Sequence, residues 1–114
     1  MIGAKYKYPA EKFAAARRHL MAPHPKGEAD SFRAAFLECN LGLKDFRAED
    51  LDEDARRWVS TIRELMDTTG IDDPEQRGTW ILKAEQLTVE EKYSFGTAVD
   101  ELAHWFHRRF MESK

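Results

Sequence analysis

LDEDARRWVSTIRELMDTTG, residues 51–70, sets Ala55, Trp58, Val59, Ile62, Leu65 and Met66 along one side of a helix. That is the i, i+3, i+4, i+7 recurrence of an amphipathic helix with a wide apolar stripe to bury. Gly70 stands where a left-handed C-terminal cap is expected. The rest of the chain repeats this grammar, with helical stripes separated by proline, glycine and capping residues. Only Tyr6-Lys7-Tyr8 and Trp80-Ile81-Leu82 have strand character, and each is too short to stand alone. The expectation is an all-α, bundle-like single domain of four to five helices.

Working outward, residues 1–8 (MIGAKYKY) are read as an N-terminal arm and 9–114 as the helical domain. Pro9 fits the first position of a helix running to about Met21, because its missing N–H is not needed there. Phe13, Ala16 and Leu20 form the inner stripe of that helix; Arg18 faces solvent and Arg17 lies at the stripe's edge. The Ala22–Gly27 segment, with two prolines and a glycine, cannot be helical. A second helix is expected with Asp30 or Ser31 as its cap, Phe32, Ala35, Phe36 and Cys39 inward, and Asn40-Leu41-Gly42 as its end. Phe46 should plug the base of the bundle. Asp73-Pro74-Glu75-Gln76 predicts the start of a fourth helix, and Thr88-Val89-Glu90-Glu91 is a capping box opening the fifth. In that last helix Phe95, Val99, Leu102, Phe106 and Phe110 trace one stripe, flanked by Ala98 and Trp105.

Composition narrows the functional classes. The chain has 114 residues, 42% hydrophobic and 34% charged, enough apolar side chains for a core. A formal net charge of −3 argues against a protein built mainly to grip a phosphate backbone, so nucleic acid is an unlikely partner. Cys39 is the single cysteine and excludes an internal disulfide, which points to a reducing, cytoplasmic setting. No apolar run approaches the ~20 residues of a membrane span and no charged-then-apolar leader opens the chain, so no membrane association is expected.

Four features can be weighed for chemistry. Asp100-Glu101-Leu102-Ala103-His104-Trp105-Phe106-His107 carries a Glu-x-x-His pair, and Glu101, His104 and His107 form a metal-ligand alternative of the kind helical di-metal sites use. No second Glu-x-x-His exists, and turning these residues inward would expel the Phe95–Phe106 stripe, so the leading expectation is no metal and no cofactor. The acidic run Glu49-Asp50-Leu51-Asp52-Glu53-Asp54 lacks the spacing of a calcium loop and suits the start of a helix, where the macrodipole favours carboxylates. The pairs Arg17-Arg18, Arg56-Arg57 and Arg108-Arg109, with His19, His104 and His107, would make a basic face only if they converged; solvated helix faces are the plainer reading. His24, set between two prolines in the 22–29 loop, could present a fixed recognition shape.

No phosphate loop, HExxH, G-x-S-x-G or cysteine pair is present, and Cys39 falls on an apolar face that disfavours the reactive thiolate. Catalysis is therefore not expected. Tyr8-Pro9-x-Glu11-Lys12-Phe13, followed by Asp50-Leu51 and then Trp58, Ile62 and Leu65, resembles small all-helical bacterial proteins of unknown function. The resemblance covers about the first two-thirds of the chain and departs at Arg47 and Asp52, where prolines or apolar residues are expected. It implies a bacterial helical domain and no activity. The functional expectation is a non-catalytic protein-interaction or regulatory domain, with a metal-binding bundle as the alternative. Trp105, Phe110 and His24 are the candidate partner-binding residues, on the reasoning that the aromatics of the last helix exceed one face and leave a ring exposed, with a homodimer slightly favoured.

Overall fold

Helical stripes separated by breakers become, in a computed structural model describing residues 4–44 and 46–112, five α-helices and one 3₁₀ turn, with no strand among those residues. The helices are α1 (Ala4–Met21), α2 (Glu28–Leu43), α3 (Glu53–Met66), α4 (Thr79–Gln86) and α5 (Val89–Glu112); the 3₁₀ turn spans Ala48–Asp50. They form one all-α domain. Helix α1 packs between α2 and α5, while α3 leans on α5 and α4 leans on α2. Since α3 and α4 rest on different helices, a cleft opens between them. Among the described residues no helix is long and apolar enough to cross a membrane.

The core is a file of rings. Phe13 of α1 meets Phe106 of α5 at 5.3 Å between centroids, and Phe36 of α2 meets Phe95 of α5 edge-on at 5.0 Å. Phe46 closes one end as expected, edge-on to Phe106 at 5.1 Å and tilted against Tyr6 at 5.7 Å. Such pairs add roughly 0.5–1.5 kcal/mol each beyond the area they bury. The predicted stripes of α2 and α5 hold: Phe32, Ala35, Phe36 and Cys39, and Phe95, Val99, Leu102 and Phe106, are buried.

Several boundaries differ from the sequence reading, each for a physical reason. The arm is not an arm from Ala4 onward, and Met1 to Gly3 lie outside the described residues. Tyr6 is buried against Phe46 and Trp105, and this packing carries the helix through Pro9, which sits inside α1 rather than at its first position. Helix α2 starts at Glu28 after Gly27, whose φ of 98° turns the chain out of the proline loop, so Asp30 and Ser31 lie within the helix instead of capping it. The same helix runs past Gly42 to Leu43, because that glycine is where α1 crosses: an added Cβ would lie 3.1 Å from both Phe13 Cε2 and Lys12 Cβ. Helix α3 ends at Met66, with Asp67 as its C-cap; Gly70, at φ 82°, belongs to the following turn.

The Asp73-Pro74 segment is not helical. The Asp73 carboxylate accepts the backbone N–H groups of Arg77 and Gly78, both at 2.8 Å, and holds an irregular turn that delays α4 until Thr79. A short acidic side chain competing for backbone donors is enough to override a proline-led helix start. Helix α5 opens as read. Glu91 N–H donates to Thr88 Oγ1 at 3.1 Å, and Thr88 N–H donates to Glu91 Oε1 at 2.9 Å.

Candidate functional site: the cleft between α3 and α4

The cleft occupies about 960 Å³. Leu43 from the end of α2, Phe46, Leu51, and Val59 and Met66 of α3 form its apolar lining, with Trp80 of α4 as the opposite wall. Helix periodicity places Arg56, Ser60, Arg63 and Asp67 along one line from α3 into its C-cap, at steps of four, three and four residues. Lys44 and Asn40 face them from the end of α2. The rim therefore carries the cations Lys44, Arg56 and Arg63 against the carboxylates Glu64 and Asp67.

Asp67 is committed to local structure. Its carboxylate takes the hydroxyl of Thr69 at 2.7 Å and the Thr69 N–H at 3.0 Å, and these bonds hold it below the ordinary aspartate range. It is an anchored anion rather than a proton donor. Lys44 and Arg63 are exposed and make no ion pair among the described residues. The lining thus offers an apolar floor, hydroxyls and available cations, which is the equipment of recognition.

The residues singled out from sequence lie elsewhere. Trp105, expected at the surface, is only 3% exposed. Its indole N–H donates to Asp52 Oδ2 at 2.9 Å, and its ring lies edge-on to Phe106 at 5.1 Å, beneath the Arg109 guanidinium 4.8 Å from the centroid. The ring is core because α3 delivers a carboxylate that satisfies its single polar atom. Trp58 shows the reverse. It is half-buried at the margin of α3, near Asp54 and Arg108, because Val59 and Ile62 hold the centre of the stripe. Phe110 is half-buried against the core. His24 Nδ1 lies 2.8 Å from Ser31 Oγ and ties the proline loop to α2.

Glu101, His104 and His107 are exposed, and among the described residues no three His, Cys, Asp or Glu side chains group around a point where a metal ion could sit. His104 Nδ1–H donates to the Asp100 carbonyl at 2.9 Å, an intrahelical bond. The acidic run disperses into structural pairs: Asp50 with Lys5 at 3.0 Å, Asp54 with Arg57 at 3.7 Å, and Asp52 as the N-cap of α3. Cys39 is buried, and burial pushes its thiol well above the ordinary cysteine value, so it is unreactive.

Of the three arginine pairs, Arg17-Arg18 meets His104 and His107 across the α1–α5 groove, whereas Arg108-Arg109 faces Asp52, Asp54 and Glu112, and Arg56 faces the α3–α4 cleft. The cleft itself was not legible beforehand, because its walls come from segments brought near by packing on two different helices. Comparison with known proteins finds no matching family model, no similar curated protein and no similar solved structure.

Proposed function

We propose that this chain is a non-catalytic interaction domain that recognises an acidic, amphipathic segment of another protein in the α3–α4 cleft. The observation that carries this reading is the pairing of an apolar floor with Lys44 and Arg63, two exposed cations without an ion-pair partner among the described residues. An apolar side chain of the partner would sit on Leu43, Phe46 and Trp80, and its carboxylates would meet the rim. The unreactive, buried Cys39 suits a reducing compartment such as the cytoplasm.

Selection of displayed peptides against the folded chain tests this. Enriched peptides should combine acidic with aromatic or long aliphatic residues. They should lose about tenfold in affinity or more for the Lys44→Glu/Arg63→Glu variant, which alters exposed positions only. Peptides without acids, or equal binding to the variant, would overturn the assignment.

Self-association is a second reading, supported by a different observation. Met21 and Tyr93, 67% and 77% exposed, line one depression between α1 and α5, together with Leu20 and Gly96. A second copy covering this face would hide two large apolar side chains that the chain leaves in water.

A further inference from the structure

We infer that the α1–α5 groove is a binding site for a phosphate group, free or as a monoester, formed by Arg17, Arg18, His104 and His107 over a floor of alanines. Ala10, Ala14, Arg17 and Arg18 sit at i, i+4, i+7 and i+8 of α1, and so lie along one face. Ala103, His104 and His107 come from the matching stretch of α5. These seven residues line a depression of about 260 Å³. Methyl side chains at its base leave room above the two helices, and the longer side chains fence that room. The seven lining residues include no carboxylate, in a chain whose formal net charge is −3; at the edge of the groove the Asp100 carboxylate pairs with Arg17 and lies 3.9 Å from His104 Nδ1. Concentration of guanidinium and imidazole groups against the overall charge is a local feature that needs a local reason.

The side chains are partly arranged for an anion. Asp100 binds Arg17 through Nε, which leaves both terminal nitrogens of that guanidinium as donors and fixes its plane. His104 is fixed through Nδ1–H by the Asp100 carbonyl, so its Nε2 donates to an anion only as the imidazolium, the form that a bound dianion favours. Arg18 and His107 are exposed and make no ion pair among the described residues. A tetrahedral dianion is the ligand that several convergent N–H donors from two directions fit best. The depression is below the usual volume of a drug-sized ligand pocket, which favours the phosphate group itself over a whole nucleotide. The site shares no residue with the α3–α4 cleft.

Histidine NMR separates the outcomes. Inorganic phosphate and a short phosphoserine peptide are titrated separately into the intact chain, at constant pH and ionic strength. Saturable shifts are expected on His104 and His107 and not on His24, with affinity falling about tenfold or more in Arg18→Ala, an exposed substitution that leaves the melting midpoint in place. Equal affinity for both ligands assigns the site to free phosphate; tighter binding of the peptide assigns it to a phosphorylated protein. Shifts that do not saturate, that sulfate reproduces equally, or that persist in Arg18→Ala would overturn the site. So would a short RNA that binds more tightly than either phosphate, with steep salt dependence.

Discussion

Asp52 shows how much one side chain can hold. Its Oδ1 accepts the Ala55 N–H at 2.9 Å and caps α3, while its Oδ2 accepts the Trp105 indole N–H at 2.9 Å and lies 3.2 Å from the Arg109 guanidinium. The Ala55 bond first, then the Trp105 bond, hold its carboxyl below the ordinary aspartate value of 3.8. Asp52→Asn puts an amide NH₂ where one oxygen stood, so either the Ala55 N–H alone or Trp105 and Arg109 together face another donor. The expected loss is about 0.5–1.5 kcal/mol, the net worth of a hydrogen bond at a side chain that is 47% exposed. The pH dependence has a definite sign. A carboxylate with a depressed folded-state pKa stabilises above its unfolded value, and that contribution disappears as pH falls through the folded value. Urea melts of wild type and Asp52→Asn should therefore differ at pH 7, and the gap should narrow as pH falls below 3.8 and through the depressed folded-state value. A gap of the same size at both ends of that range would show that the charge of Asp52 contributes nothing.

At the scale of the helix, two glycines make opposite predictions. Gly42 lies in α2 where Phe13 and Lys12 of α1 come within 3.1 Å of a hypothetical Cβ, and Phe13 is locked against Phe106. Gly42→Ala gains about 1 kcal/mol of helix propensity but forces two packed helices apart, at about 1–3 kcal/mol, so a net loss is expected. Gly96 in α5 has nothing within 4 Å of the same position, and Gly96→Ala should raise stability by about 0.5–1 kcal/mol. Thermal melts that reverse either sign would mean that the helix crossing or the open face is misplaced. Elements were legible in proportion to how local their causes are. The α5 start was readable because Thr88 and Glu91 satisfy each other within one turn, and the α5 stripe because four buried positions keep strict spacing. The starts of α1 and α4 were not. Tyr6 is buried by Phe46 and Trp105, about 40 and 100 residues away, and Asp73 spends its carboxylate on the backbone instead of a helix. Trp58 and Trp105 exchanged roles for a related reason: periodicity fixes a stripe's direction only to within one residue at its edges.

At the scale of the whole molecule, the candidate sites follow from which helix supports which. Because α3 packs on α5 and α4 on α2, the cleft between them is a product of topology, and no run of sequence contains it. The basic groove is an intermediate case: Arg17, Arg18, His104 and His107 could be noticed in the sequence, but their convergence needed α1 and α5 side by side. The same side-by-side packing says where a dimer interface could be sought. An interface through Trp105 is ruled out as first conceived, since the ring is buried and Trp105→Glu would place a carboxylate in the core beside Asp52, unfolding the chain before reporting on a dimer. The exposed Met21–Tyr93 face is the place to look. If it is a two-fold interface, light scattering should give twice the 13.3 kDa chain mass, and Tyr93→Glu should return it to the monomer value with helicity unchanged. Tyr93 is 77% exposed, so the substitution costs the fold little and a change in mass would be a change in association. A chain that stays monomeric at high concentration removes self-association through the Met21–Tyr93 face and leaves the α3–α4 cleft as the proposed interaction surface.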